Sequence, residues 1–231
     1  KQLLNEKQNG ALNILTGFIA TDNNGKTQTL GRNGSDYSAT IAAHLLNAEN
    51  VTLWTDVDGV YSADPRIVTT ARKLRRIEDV VAKELGRLGN PVLHANTLNP
   101  LATHNIHLNV ASSFEPSLDG SEIGKFGEIA KNEISVTHNN ELLKIDSSQF
   151  NDVDLQAVKN RFQPIYICPD NSCVVLAPQF ADIAEQYLQK HNVAYRSEQV
   201  ALLAVVGYNI VDRGEIKARF NRVLANEQPT L

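Results

Sequence analysis

Strands alternate with helices through residues 12–112, and a strand–helix–strand–strand–helix–strand rhythm follows residue 132. Together these predict an α/β protein in two parts. The first part is expected to carry a parallel-rich sheet with flanking helices, the second a ferredoxin-like α+β unit. Between them, Phe114 to Gly127 has Pro116, Gly120, Gly124 and Gly127 and little periodicity, which reads as a linker.

Residues 12–20 (LNILTGFIA) read as a strand, and Asp22-Asn23-Asn24-Gly25 as a turn of residues that tolerate the left-handed conformation. Gly31 to Asp36 then opens a helix to about Ala48. Ser35 or Asp36 can cap it, and Ala39, Ala42, Ala43 and Leu46 give it one small apolar face. Val51 to Thr55 reads as a short buried strand and Asp58-Gly59 as a turn. Ile77, Val80, Val81, Glu84, Leu85 and Leu88 carry a largely apolar helical period, another helix follows Pro91, and 106–111 is a strand. In the second part 133–136, 141–145, 164–168, 172–176, 193–195 and 201–206 read as strands. Helices are expected at 152–162 and 180–191, and one more begins at Arg213.

Composition narrows the classes of function. Apolar residues make up 42% and charged residues 21%, which suits a globular core rather than disorder. The net charge of -4 disfavours a nucleic-acid partner, because a phosphate backbone demands a basic surface. No apolar run approaches the ~20 residues that cross a bilayer, and no secretory signal opens the chain. These features read as a cytoplasmic protein without a membrane partner. The chain begins at Lys1 rather than Met, as expected of a segment of a longer protein. Cys168 and Cys173 lack a CxxC spacing and have no histidine beside them, so both are expected to be thiols rather than zinc ligands or a disulfide.

Two segments carry chemistry. In Gly31-Arg32-Asn33-Gly34-Ser35-Asp36 the glycines let backbone N–H groups approach a ligand, and the helix start adds partial positive charge for an anion. Arg32 supplies a bidentate fork for carboxylate or phosphate. The alternative is a surface turn with a capped helix. No GxxxxGK[ST] or GxGxxG occurs. In the second segment, WTDVDGVYSADPR (54–66), a strand ends in Thr55-Asp56, where open α/β sheets place ligands. Tyr61 is suited to a base or ribose and Arg66 to a polyphosphate; the alternative is a buried strand, an Asp-Gly turn and an Asp-Pro helix start. His104 and His107 read as surface or packed histidines for want of a carboxylate or Cys partner, and His94 as part of a helix start.

LGRNGSDYSA followed by WTDVDGVYSADPR resembles the amino-acid kinase fold, and within it aspartokinase. PVLHANTLNP (91–100) resembles the aspartokinase segment after the nucleotide site. The resemblance is strong over about 14–112 and looser beyond. It implies that residues 1–113 are the C-terminal, nucleotide-binding part of a kinase domain and 114–128 a linker. It further implies an ACT-like regulatory unit over 129–206 and the start of a second over 207–231. The implied reaction is ATP plus L-aspartate to 4-phospho-L-aspartate, at the head of the methionine, threonine and lysine pathways. Arg32 would hold the substrate α-carboxylate, and Gly34, Ser35 and Asp36 would line the same site, with Asp36 organising charge around the transferring phosphoryl. Thr55, Asp56 and Tyr61 would contact adenine and ribose, and Arg66 the phosphates, with Mg²⁺ bridging them. ACT-like modules imply a homo-oligomer.

The sequence departs from the family pattern at one position and in extent. Most aspartokinases carry Phe-Gly-Ala-Lys before VLH, whereas this chain reads Leu88-Gly89-Asn90-Pro91. Pro91 has neither charge nor N–H, so contacts of Pro91 and Val92 with ATP would be through backbone and shape. The same proline resembles the methionine-branch bifunctional aspartokinase/homoserine dehydrogenases. The family's N-terminal Lys-Phe-Gly-Gly-Thr-Ser segment and the dehydrogenase domain lie outside these residues, so the chain alone is expected to have little kinase activity. A regulatory and dimerisation piece is the alternative.

Overall fold

The computed structural model describes residues 12–31, 33–102, 105–150, 152–168 and 170–225. The chain divides into two compact units, Lys1–Thr137 with Val205–Leu231, and His138–Ala204.

In the first unit, β1 (Ile19–Thr21) and β2 (Thr27–Thr29) form an antiparallel hairpin. Its turn is built by Asp22, whose Oδ1 accepts from the N–H groups of Asn24 and Lys26 at 2.9 Å each. The strand expected over 12–20 shrinks to Ile19–Thr21 because Phe18 turns the chain to φ 74°, which ends extended structure. Helix α1 (Gly34–Leu45) buries Thr40 and Ala43 and packs on β3 (Asn50–Thr55). Its cap is Asn33 in the left-handed region, with no side-chain cap bond. Ser35 and Asp36 therefore lie inside the first turn and do not cap it, a correction to the sequence reading.

β3, β4 (Arg76–Glu78), β5 (His107–Ser112) and β6 (Ser121–Gly124) form one sheet in the order β3-β5-β6-β4. β3 runs parallel to β5 and β4 parallel to β6, while β5 and β6 are antiparallel. The sheet is thus parallel-rich with one reversal. β6 lies inside the stretch read as a linker, and Gly120 explains how it fits. A Cβ on Gly120 would stand 2.0 Å from the Val110 carbonyl oxygen, so only glycine lets the chain come against β5 here. Helix α2 (Asp79–Arg87) buries Val81, Ala82 and Leu85 but leaves Val80 exposed, and the short α3 (Ala95–Leu98) packs against it. Leu74, Ile77, Leu85, Leu108 and Val110, all nearly inaccessible, are part of the core of this unit.

The second unit contains most of β7 (Ile134–Asp146), α4 (Asp152–Phe162), β8 (Tyr166–Ile167), β9 (Cys173–Leu176), α5 (Ala181–Lys190) and most of β10 (Arg196–Gly207). Its strands lie in the order β10-β7-β9-β8, with β7–β9 and β8–β9 antiparallel. This is the ferredoxin-like arrangement. Residues 134–136 and 141–145 belong to one strand, β7, not two; 201–206 lie within β10, whereas the strand expected at 193–195 does not form and β10 begins at Arg196. Both faces of α4 and α5 that meet the sheet converge on Phe162, Val158, Leu155, Ala184, Leu188, Ile145, Val174 and Leu176. Helix α6 (Gly214–Leu224) follows in the first unit.

Cys168 and Cys173 form a disulfide, contrary to the free thiols expected from sequence. The reason is local. The Asn171 N–H donates to the Cys168 carbonyl, and the Cys168 N–H to the Cys173 carbonyl. This tight β8–β9 turn brings the two Cα atoms to 5.1 Å, within the range a disulfide spans.

Candidate functional site

The connection 46–49 between α1 and β3 is short, so the helix runs back against the strand it packs on. The start of α1 and the carboxyl end of β3 therefore share one end of the sheet. Parallel β5 ends there too, and its Ser112 Oγ accepts from the N–H groups of Phe114 and Glu115. Ligands of open α/β sheets bind at such an end. An open depression of about 540 Å³ lined by Asn47, Asn50, His107 and Glu122 lies at the opposite end, where β3 and β5 begin, and belongs to neither motif.

At the start of α1, Gly34 has Phe18 against it: a Cβ would meet the Phe18 ring at 2.9 Å. The Phe18 N–H in turn donates to Ser38 Oγ at 3.0 Å, and Ser38 Oγ donates to the Gly34 carbonyl at 2.8 Å. The hairpin β1–β2 is thereby tied to the helix start. Asn33 Nδ2 donates to Asp36 Oδ2 at 3.3 Å, and Ser35 is exposed. Arg32 lies outside the described residues, as does His104.

At the end of β3, the Thr55 hydroxyl donates to Asp56 Oδ1 at 3.0 Å, and Asp56 is exposed. Gly59 follows at φ +142°, a conformation that favours glycine. A Cβ there would also stand 2.6 Å from Ser121 Oγ. Ser121 is fully buried; its hydroxyl accepts from the Val60 N–H at 2.8 Å and donates to the Leu74 carbonyl at 2.6 Å. Tyr61, half-buried, donates its hydroxyl to Asp58, which also receives Lys73 Nζ at 3.1 Å. Arg66 is held in a forked pair with Asp64, Nη2 to Oδ2 at 2.7 Å, although 79% of its side chain is exposed. That pair holds the Arg66 guanidinium above its ordinary value. Within the 88–93 turn, Asn90 Oδ1 accepts from the Val92 and Leu93 N–H groups at 2.9 and 3.0 Å. The Val92 N–H is therefore already bonded inside the chain, and exposed Pro91 has none to offer. His94 starts α3, its ring accepting from the Asn96 N–H, and His107 Nδ1 lies 3.2 Å from Glu122 Oε1.

Burial opposes ionisation of Asp58, yet the Tyr61 hydroxyl and the Lys73 ammonium outweigh it and hold the carboxyl below its ordinary 3.8. A depressed carboxyl contributes stability that is complete above its unfolded value and lost as pH falls through its folded one. The urea midpoint of the chain is expected to fall between about pH 5 and about pH 3, and less steeply in Asp58→Asn. Parallel slopes for both proteins across this window would count against that contribution. Burial first, and then the Asp58 carboxylate, raise the Tyr61 phenol above its ordinary 10.0.

Sequence reasoning missed Lys73 and Ser121. Neither lies in a motif: each reaches the Thr55–Arg66 segment by tertiary pairing, and only Asp58, three residues before Tyr61, had a spacing that signalled a contact.

Residues 1–112 match the amino acid kinase family. The chain is 48% identical over 110 residues to the bifunctional aspartokinase/homoserine dehydrogenase 2 of Escherichia coli, covering 48% of this chain and 14% of that protein. It is 43% identical over 113 residues to lysine-sensitive aspartokinase 3 of the same organism, covering 49% of this chain and 25% of that protein. Among solved structures, E. coli aspartokinase III in complex with aspartate and ADP superposes with a TM-score of 0.74 at 30% identity, covering 89% of this chain and 51% of that one. Clostridium acetobutylicum aspartate kinase superposes with a TM-score of 0.69 at 23% identity, a likeness of fold. The chain thus spans a quarter or less of the length of these curated relatives and about half of the solved aspartokinase III chain.

Proposed function

We propose that this chain is the nucleotide-binding part of an aspartate kinase with a following ACT-type regulatory unit, and that its parent transfers the γ-phosphoryl of ATP to the β-carboxylate of L-aspartate. The parent is read as a bifunctional aspartokinase/homoserine dehydrogenase of the methionine branch, cytoplasmic and oligomeric through its ACT-like units. The observation that carries the reading is the meeting of two sequence motifs, the start of α1 and the carboxyl end of β3, at one end of a parallel-rich sheet. Aspartokinase relatives at 43–48% identity support it.

In this reading Arg32, Gly34, Ser35 and Asp36 take the amino-acid substrate. The N-terminus of α1 adds favourable potential for its carboxylate. Thr55, Asp56 and Tyr61 take the nucleoside and Arg66 the phosphates. Pro91 and Val92 contribute shape alone, since the Val92 N–H is bonded to Asn90. Mg²⁺ would enter on the nucleotide, because this cation binds through substrate phosphates rather than in an all-protein cage. It would neutralise phosphate charge during an in-line transfer that depends on positioning and electrostatics.

Arg66 must leave Asp64 to reach a phosphate, which limits its net gain. Titration calorimetry with Mg-ATP is expected to give saturable heat with the chain and about tenfold weaker affinity in Arg66→Ala. No saturable heat from the unaltered chain at millimolar nucleotide would sink the nucleotide assignment. The second reading is a regulatory and dimerisation segment, and the long, largely exposed edge strand β10 favours it. Heat with threonine, lysine or methionine but none with Mg-ATP is the result that would select it.

A further inference from the structure

Behind Tyr61 stands a second layer of polar contacts. The Tyr61 hydroxyl donates to Asp58, 2.9 Å from one carboxylate oxygen and 3.1 Å from the other. Lys73 Nζ donates to Asp58 Oδ2 at 3.1 Å and to the Asp119 carbonyl at 2.6 Å. The Asp58 and Lys73 side chains are only 30% and 24% exposed, so this ammonium is not an ordinary solvated surface charge. Backbone fixes both ends of the relay. Tyr61 and Lys73 face each other in an antiparallel bridge. On either side of it, Ser62 N–H donates to the Arg72 carbonyl and Leu74 N–H to the Val60 carbonyl, at 2.8 Å each. The lysine stem passes over Gly59, where a Cβ would come within 3.0 Å of Lys73 Cδ.

The chemistry of such a relay is directional. An ionised carboxylate is an acceptor only, so the phenol proton is committed to Asp58 and the phenol oxygen can only accept from a ligand. Lys73 donates to the carboxylate while tied to Asp119, and so fixes the rotamer from which Asp58 holds the tyrosine. We propose that Asp58 and Lys73 are positioning residues for Tyr61, turning its oxygen into a fixed acceptor for a donor on the bound nucleotide, a ribose hydroxyl or an exocyclic amine. The inference rests on the nucleotide reading given above.

The test is calorimetric titration of the chain with Mg-ATP, joined to ultraviolet titration of its tyrosines. Asp58→Asn and Lys73→Met are each expected to weaken Mg-ATP about tenfold, as is Tyr61→Phe, while Lys73→Arg stays within about threefold. Because Asp58 acts through the phenol, the double variant Asp58→Asn/Tyr61→Phe is expected to bind no worse than Tyr61→Phe alone. Additive losses in the double variant, or unchanged affinity in Asp58→Asn, would overturn the proposal. The phenol transition that disappears in Tyr61→Phe is expected above the ordinary tyrosine range and lower in Asp58→Asn. An unmoved transition overturns the proposal without any nucleotide present, and does so even if Lys73→Met fails to fold. If the unaltered chain takes up no Mg-ATP, the nucleotide reading fails and takes the ligand-facing half of the proposal with it. The phenol titration then still separates that failure from an absent Asp58–Tyr61 hold.

Discussion

Gly120→Ala is expected to cost the first unit more than about 4 kcal/mol, enough to unfold most of it at room temperature, since whole domains are stable by only about 5–15 kcal/mol. The added carbon would sit 2.0 Å from the Val110 carbonyl oxygen, 2.9 Å from the Val110 carbonyl carbon and 3.2 Å from the Ala111 Cα. All three are backbone atoms of β5, the strand paired on both sides by β3 and β6. No rotamer change relieves such a contact; β6 must move away, breaking its register with Val110 and with β4. Urea denaturation monitored by far-ultraviolet circular dichroism reads the effect. A loss below about 1 kcal/mol would mean that β6 does not approach β5 as described.

Phe162→Ala is expected to cost the second unit about 3–5 kcal/mol. The ring is 1% exposed and lies edge-on to Tyr187, with centroids 5.9 Å apart, and tilted against Phe180 at 6.4 Å. The Arg161 guanidinium lies 5.7 Å from its centroid and 5.6 Å from that of Tyr187, so the aromatic group is covered on its solvent side. Truncation leaves a cavity between α4, α5 and the sheet that neither helix can fill without losing Val158 or Leu188 from the core. Hydrogen exchange is expected to show lost protection in β8 and β9 and retained protection in β3 and β5. Unchanged protection in β9 would contradict the packing account.

Much of this fold was legible because local chemistry and tertiary structure agree. Asparagines stand where the chain needs the left-handed region: Asn47 after α1, Asn171 in the β8–β9 turn and Asn192 after α5. The helical period of α2 gave its buried face at Val81 and Leu85. The misreadings occur where pairing overrides local signals. Residues 133–136 and 141–145 read as separate strands, yet β7 runs unbroken through 137–140, since strand continuity is decided by neighbours distant in sequence. Phe18 looks like a strand residue, yet its place is set by Gly34 and Ser38 in the first turns of α1. At the site, the residues proposed to meet a ligand were readable from their motifs. Their supporting contacts were not: Lys73 and Ser121 carry no local pattern, and the disulfide depended on a turn whose tightness the spacing alone did not reveal.

The Ser121 hydroxyl has a consequence in the order of folding. It bonds Val60 across a sequence separation of 61 residues, so the Thr55–Arg66 loop is written early in the chain but shaped from late in it. During synthesis the whole motif emerges while its latch is still untranslated, and the loop-closure entropy is met only when β6 docks. The loop is therefore a late-setting part of an early-reading segment, and a chain cut before β6 carries the letters of the motif without its conformation. In pulse-labelled refolding, the Val60 amide should gain protection together with those of β6 and not before them.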